Sequence, residues 1–291
     1  MREFLNRLVD WFSGKTTTKS PLRLVIGLNQ VDKMIPNGWN QRLNAPTDEV
    51  EKEIERRCQD IIKQLSETTE ISEANIEYYI EYYSALKRYR LINLLTKIIQ
   101  NAYAGFKLGN VQPADPFELA DPEAKAFADR ERQKRVNSGA AKGDANNQTV
   151  EDIKKLIPES EFQLILDKFK QETQLPPKVA VIGKSGVGKT TTINNLFNAQ
   201  LKTSPTTVGT TEAQIKEFTL ATGGTLTVID LPGYGRSEAE DPEYDKIYQQ
   251  IIPSCDLVFL VIQADTRDFA DDIEMINKIT TWLKNHPTPQ R

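Results

Sequence analysis

The stretch that decides the fold is Lys178–Thr190, KVAVIGKSGVGKT. Val179–Ile182 is a continuous apolar run bounded by a glycine, the pattern of a strand buried on both faces. GKSGVGKT, Gly183–Thr190, follows directly. Glycines at 183, 186 and 188 let the backbone curl until several N–H groups point inward. The residues from 189 to 199 have helical spacing. Those N–H groups would therefore sit at a helix N-terminus, whose partial positive charge favours an anion. Strand, loop and helix together predict a phosphate-binding loop made of Gly183, Lys184, Ser185, Gly186, Val187, Gly188 and Lys189. In that pattern the Lys189 ammonium reaches the β- and γ-phosphates, the Thr190 hydroxyl ligates magnesium and Thr191 touches the α-phosphate.

C-terminal to this loop, the sequence alternates between strand and helix. Strands are expected over 214–220, 225–229 and 256–262, and helices over 244–252 and 271–284, as in a doubly wound, mostly parallel sheet. Asp230-Leu231-Pro232-Gly233 closes the strand at 225–229. An acid at that carboxyl end can hold magnesium through water, and Gly233 lets a backbone N–H approach a γ-phosphate. Thr203–Thr211, TSPTTVGTT, shows neither period. Such a hydroxyl-rich loop is expected to close over the γ-phosphate. Thr211, directly before the next strand, is the first choice to complete the magnesium shell, and Thr210 is the second.

A phosphate loop does not separate ATP from GTP. Guanine carries N–H donors at N1 and N2, and a carboxylate built to accept them rejects adenine. No strand able to carry such a reader follows the helix at 271–284. One does occur near the other end, where the buried-strand pattern Leu22–Leu28 runs into Asn29-Gln30-Val31-Asp32. A helix is expected from Asp48, with Glu51 completing a capping box and Val50, Ile54, Cys58, Ile61, Ile62 and Leu65 on one face. A period-two strand is expected over 76–83, at the edge of the sheet, followed by Ser84-Ala85-Leu86 and a helix over 87–102.

Taken together, these motifs resemble the Era-like branch of the translation-factor-type GTPases, and within it the YfjP group, related to the immunity-related GTPases. The resemblance covers roughly 22–105 and 150–284. It rests on GKSGVGKT, the Gly-Thr-Thr at 209–211, DLPGYG, DLVFLVIQADTRDFADD, and NQVDK followed by Trp39. The motif order resembles instead the circularly permuted GTPases of bacterial ribosome assembly. The resemblance implies an α/β fold, a doubly wound, mostly parallel six-stranded sheet of a Ras-like P-loop GTPase domain, circularly permuted, with extra helices. It implies GTP/GDP and magnesium as cofactors. Asn29, Gln30 and Asp32 would read the base together with Ser84, Ala85 and Leu86, a Ser-Ala motif whose N–H contacts guanine O6. Gln30 stands where the usual residue is lysine, and its methylenes would still cover the guanine face. Lys189, Thr211 and Gly233 would act in catalysis; Thr190, Thr211 and Asp230 would hold the metal. Tyr234 stands where some GTPases keep a water-orienting glutamine, so slow hydrolysis is expected. Gly186 stands where potassium-activated relatives carry asparagine, so no potassium stimulation is expected. Two other readings stay open: a P-loop ATPase, or a nucleotide-stabilised interaction scaffold.

Composition narrows the remaining classes. The chain has 291 residues and a net charge of −4, which argues against a general polyanion-binding surface. Nucleic acid is not an expected partner, and ribosome contact enters by analogy alone; a homodimer or an effector protein stays open. The longest clean apolar run, Leu257–Ile262, is far short of the roughly 20 residues of a membrane span. Arg2, Glu3, Arg7 and Asp10 interrupt any secretory leader. Cys58, Cys255 and His286 are the only cysteines and histidine, which excludes a cysteine-based zinc cluster and fits a cytoplasmic protein. The expected divisions are 1–20, an amphipathic helix over 2–12 and a connector; 21–106, the guanine-specificity half; 107–149, a helical or flexible linker; and 150–291, the phosphate-loop half. Docking of helix 2–12 on protein is preferred to membrane contact, because its basic residues are few. Within the linker a charge-dense helix is expected near 123–135, and Ser138–Gln148 has linker composition.

Overall fold

The computed structural model describes residues 22–69, 71–102, 114–137, 177–197, 214–219, 225–235 and 241–290. The helix expected at 2–12, the stretch 138–148 and the loop Thr203–Thr211 lie outside them.

The strands are β1 (Leu24–Asn29), β4 (Ile80–Tyr82), β5 (Lys178–Ile182), β6 (Gln214–Thr219), β7 (Thr225–Asp230) and β8 (Leu257–Gln263). They form one sheet in the order β4-β1-β8-β5-β7-β6. Neighbours are parallel from β4 through to β7, and only β6 runs antiparallel, against β7. A two-stranded hairpin, β2 (Trp39–Asn40) and β3 (Ala45–Pro46), stands apart.

The central strands read as unbroken apolar runs because both sheet faces are covered. Leu24, Ile26, Leu28, Ala180, Ile182, Val258, Leu260 and Ile262 enter one core. There they meet α1 (Asp48–Thr68), α2 (Glu73–Tyr79), α6 (Asp241–Ile251) and α7 (Ala270–Asn285). The alternate residues Val25, Val179, Val181, Leu257, Phe259 and Val261 enter the other, against α3 (Leu91–Asn101) and α5 (Lys189–Leu196). The period of two along each strand produces this split. β1 and β8 pair over six residues, Leu24 to Asn29 against Val258 to Gln263. Each fully buried aliphatic side chain contributes about 1.5–3 kcal/mol, so separating these strands would expose much of both cores. Arg23 reinforces the junction: its buried guanidinium donates to the carbonyls of Cys255 and His286.

Two local expectations are corrected. The segment 76–83 is not one strand, since Glu73–Tyr79 is helical and only Ile80–Tyr82 joins the sheet, at its edge. Ile76, Tyr79, Ile80 and Tyr83 are the buried apolar residues, so the inward apolar set follows helical spacing before the strand begins. The capping box at Asp48 does not form. Thr47 is the N-cap of α1 without a side-chain cap bond, and the Glu51 carboxylate instead accepts the Tyr89 hydroxyl at 2.6 Å.

Residues 22–121 and 176–291 make up one compact unit. The other comprises 1–21 and 122–175; its described element is the charge-dense helix α4 (Pro122–Asn137), with Phe127 exposed. No described helix is long and apolar enough to cross a membrane.

Candidate functional site

β5 ends at Ile182 and α5 starts at Lys189, so Gly183–Gly188 forms the loop between them. Gly183, Gly186 and Gly188 have φ of 154°, 82° and 93°. At Gly188 two constraints coincide: left-handed backbone, and a Cβ that would lie 2.5 Å from Asn29 Nδ2, closer than any real side chain sits. The Lys189 ammonium crosses the loop and donates to the carbonyls of Gly183 at 2.8 Å and Lys184 at 3.0 Å. Thr190 and Thr191 occupy the first turn of α5, half-buried.

The loop is tied to the N-terminal half of the chain. Asn29, at the end of β1, is 2% exposed. Its Nδ2 donates to Val187 O at 2.8 Å, and its Oδ1 accepts the Ala85 N–H at 2.9 Å. Asn195 of α5 donates to Ala85 O at 2.9 Å, and the hydroxyls of Tyr83 and Thr192 meet at 2.9 Å. Gln30, with φ of 68°, donates from Nε2 to Gly186 O at 3.0 Å and accepts from Lys33 Nζ at 2.7 Å. Asp32 Oδ1 is buried with no hydrogen-bond partner. A buried carboxylate oxygen without a partner is costly unless a ligand completes it. Ser84 and Ala85 are buried, whereas Leu86 is 63% exposed. The structure thus brings Asn29 and Gln30 to the phosphate loop and joins Ala85 to it through Asn29, with Asp32 two residues on from Gln30.

On the other side Asp230 ends β7, 6% exposed and in register with Val181. A Cβ on Gly233 would stand 3.0 Å from Ser185 N and 3.3 Å from Gly183 O, which puts the Asp230–Gly233 turn against the phosphate loop. Among the described residues no three acidic, histidine or cysteine side chains converge as a metal cage. The Thr190 hydroxyl and Asp230 carboxylate are hard oxygen donors of the kind magnesium takes alongside phosphate oxygens. Thr210 and Thr211 lie outside the described residues.

One cluster here went unread in the sequence. Lys184 Nζ lies 3.1 Å from Asp271 and 3.2 Å from Asp272, at the start of α7. Tyr234, 4% exposed, donates its hydroxyl to Asp272 Oδ1 at 2.6 Å. Burial raises the Asp272 carboxyl above its ordinary range, and the Tyr234 bond and Lys184 charge pull it only part of the way back. Burial opposes charge on Lys184 too, but Asp272 and Asp271 outweigh it and raise its pKa. The signal was present, two adjacent acids opening a helix and a lysine in the glycine loop, but nothing in the spacing pairs them.

A strand, a glycine loop crossed by its own lysine, and an acid on the neighbouring strand have the arrangement of a phosphate-loop site. Residues 178–289 match the family described as "50S ribosome-binding GTPase". The chain is 30% identical over 131 residues to the uncharacterized protein YkfA of Escherichia coli, covering 45% of each chain. It is 34% identical over 123 residues to the uncharacterized protein YfjP of the same organism, covering 42% of each. To the probable GTP-binding protein EngB of Pelobacter propionicus it is 33% identical over 119 residues, which is 39% of this chain and 56% of that one. The chain thus spans less than half the length of YkfA and YfjP.

Proposed function

We propose that this chain is a guanine-nucleotide switch that hydrolyses GTP slowly, with its GTPase motifs in circularly permuted order. The observation that carries the reading is Asn29, which bonds the phosphate loop through Val187 and the Ser84–Leu86 loop through Ala85. One side chain thereby links a triphosphate cradle to the loop suited to a base edge, and Asp32 Oδ1 adds a buried acceptor for guanine N1 and N2 donors. The Ala85 N–H is engaged by Asn29, which leaves the Leu86 N–H to meet O6. Permutation is supported by the place of β1 and β4 beyond β8 in the sheet. There they would be the fifth and sixth strands of a Ras-like order that starts at β5.

In this reading Lys189 leaves its two loop carbonyls to bind the β- and γ-phosphates, and the loop N–H groups take the remaining oxygens. Thr190, Asp230 and Thr211 would hold magnesium, which neutralises phosphate charge when bound. The Gly233 N–H would fix the γ-phosphate for in-line attack by water. Tyr234 turns its hydroxyl to Asp272 rather than toward the γ-phosphate position, so slow turnover without a partner is expected. A cytoplasmic location fits two free, buried thiols. A homodimer or an effector is the partner this reading leaves room for; contact with the ribosome is extended to this chain only by analogy with the family description.

The test is competition calorimetry. GDP should outcompete ADP in the wild type, and Asp32→Asn should weaken GDP while admitting xanthosine nucleotides, whose altered edge suits an amide. Equal binding of ADP would move the chain to the ATPases.

A further inference from the structure

We propose that Asn44 is a positioning residue for base recognition, holding the loop Ser84–Tyr89 from the side away from the nucleotide. The inference rests on the guanine reading above. Asn44 lies in the turn of the β2–β3 hairpin, 5% exposed and with φ of 50°. Its Nδ2 donates to Lys87 O at 2.8 Å and to Pro116 O at 3.0 Å. Its Oδ1 accepts the Trp39 indole N–H at 3.2 Å. Both donors and the acceptor are engaged, so the amide has one orientation. Trp39 is fixed in turn, edge-on to Tyr89 with ring centroids 5.4 Å apart.

The loop it grips is nearly closed. Ser84 and Tyr89 exchange backbone hydrogen bonds of 3.2 and 3.0 Å, and the Lys87 N–H donates to Ser84 Oγ at 3.1 Å. Asn29 and Asn195 hold Ala85 from the phosphate-loop side, and Asn44 takes the Lys87 carbonyl from the other. The Ala85–Leu86 peptide, whose N–H is the one offered to O6, thus has its carbonyl held by Asn195 and the chain two residues on held by Asn44. An amide that must meet O6 at hydrogen-bond distance needs that fixity, because small misplacements forfeit most of the bond. Pro116 and Asp115, whose carbonyl accepts from Arg88 at 3.0 Å, bring the segment 114–121 into the same support.

The experiment measures affinities of the full chain for GDP, 6-thio-GDP and IDP. The thio analogue alters only the O6 position, and IDP lacks only N2. Asn44→Asp keeps the Trp39 bond but turns an acceptor toward two carbonyls. We expect it to weaken GDP about three- to tenfold, the worth of one hydrogen bond, and to erode the preference for GDP over 6-thio-GDP by a similar factor. The preference over IDP, read by Asp32, should stay at the wild-type value. Trp39→Phe, which frees the Asn44 amide without reversing it, should move the same ratio less and serves if Asn44→Asp fails to fold. A lower melting temperature with an unchanged 6-thio-GDP ratio in both variants would make Asn44 a scaffold residue and overturn the proposal. A wild type that does not prefer GDP to ADP would overturn the guanine reading itself and Asn44 with it; a wild type that does, with unmoved ratios in the variants, sinks Asn44 alone.

Discussion

Tyr234 follows the Asp230–Gly233 turn, and its environment decides what it can do. A side chain 4% exposed with its hydroxyl 2.6 Å from Asp272 is a structural donor. Removing that donor leaves a buried carboxylate with one partner fewer, a loss of about 1–3 kcal/mol. Tyr234→Phe is therefore expected to lower thermal stability while slow phosphate release stays within about twofold of wild type, which is under 0.5 kcal/mol in barrier. A drop of an order of magnitude in release, at unchanged stability, would mean that the phenol acts on the attacking water. At this scale the sequence was readable where a motif fixes both residue type and neighbour, as at Gly183, Lys189, Asn29 and Asp230. It was silent on Asn44 and on the Lys184–Asp272 pair. Asn44 works by bonding the carbonyls of Lys87 and Pro116, and any residue supplies a carbonyl, so no pattern of side chains marks the contact.

Elements were legible in proportion to their burial. β1, β5 and β8 are covered on both faces and read as apolar runs, and α1 shows a stripe that the structure buries at Ile54, Cys58, Ile61, Ile62 and Leu65. Residues 76–83 misled because tyrosine suits either face, so alternating Tyr and Ile imitated a strand while burial followed i, i+3, i+4. The segment 114–121 looked like linker because Pro113, Pro116 and Pro122 punctuate it; backbone bonds hold it, from Ala114 N–H to Asn195 O and from Asp121 N–H to Arg42 O. The stripe of α1 also sets a pH response. Cys58 is 1% exposed and Cys255, just before β8, 0%. Burial pushes both thiols up to about 12 from an ordinary 9.0, so the native chain holds those protons more tightly than the unfolded one. The contribution is full below pH 9 and is lost as pH climbs from 9 toward 12. The denaturant midpoint should be flat across neutral pH and fall above 9, and neither thiol should react with iodoacetamide at neutral pH until the chain unfolds. Rapid alkylation of either thiol in the native protein would contradict this burial.

The sheet fixes what should happen to the whole molecule when the chain is cut. β1 comes from the first part of the sequence and β8 from the last, yet they pair along six residues in the middle of the sheet. Asn29 adds a bond across the same boundary, and so does Asn195 to Ala85. A specific protease site placed within 138–148, whose composition is polar and rich in small residues, would sever the covalent link between these halves and none of those contacts. Cleavage is therefore expected to leave two fragments that co-elute at the mass of one chain and bind GDP with nearly the uncut affinity, because the β1–β8 pairing and the Asn29 and Asn195 bonds do not run through the cut. Fragments that separate, with the C-terminal one binding nucleotides without base preference, would mean that each half folds alone. Co-elution at twice the mass by light scattering would point instead to exchange of halves between two chains. Closure within one chain is favoured because the entropic cost of a longer connection rises only logarithmically, by about 0.6 kcal/mol per doubling, whereas undoing the β1–β8 junction exposes two cores at once.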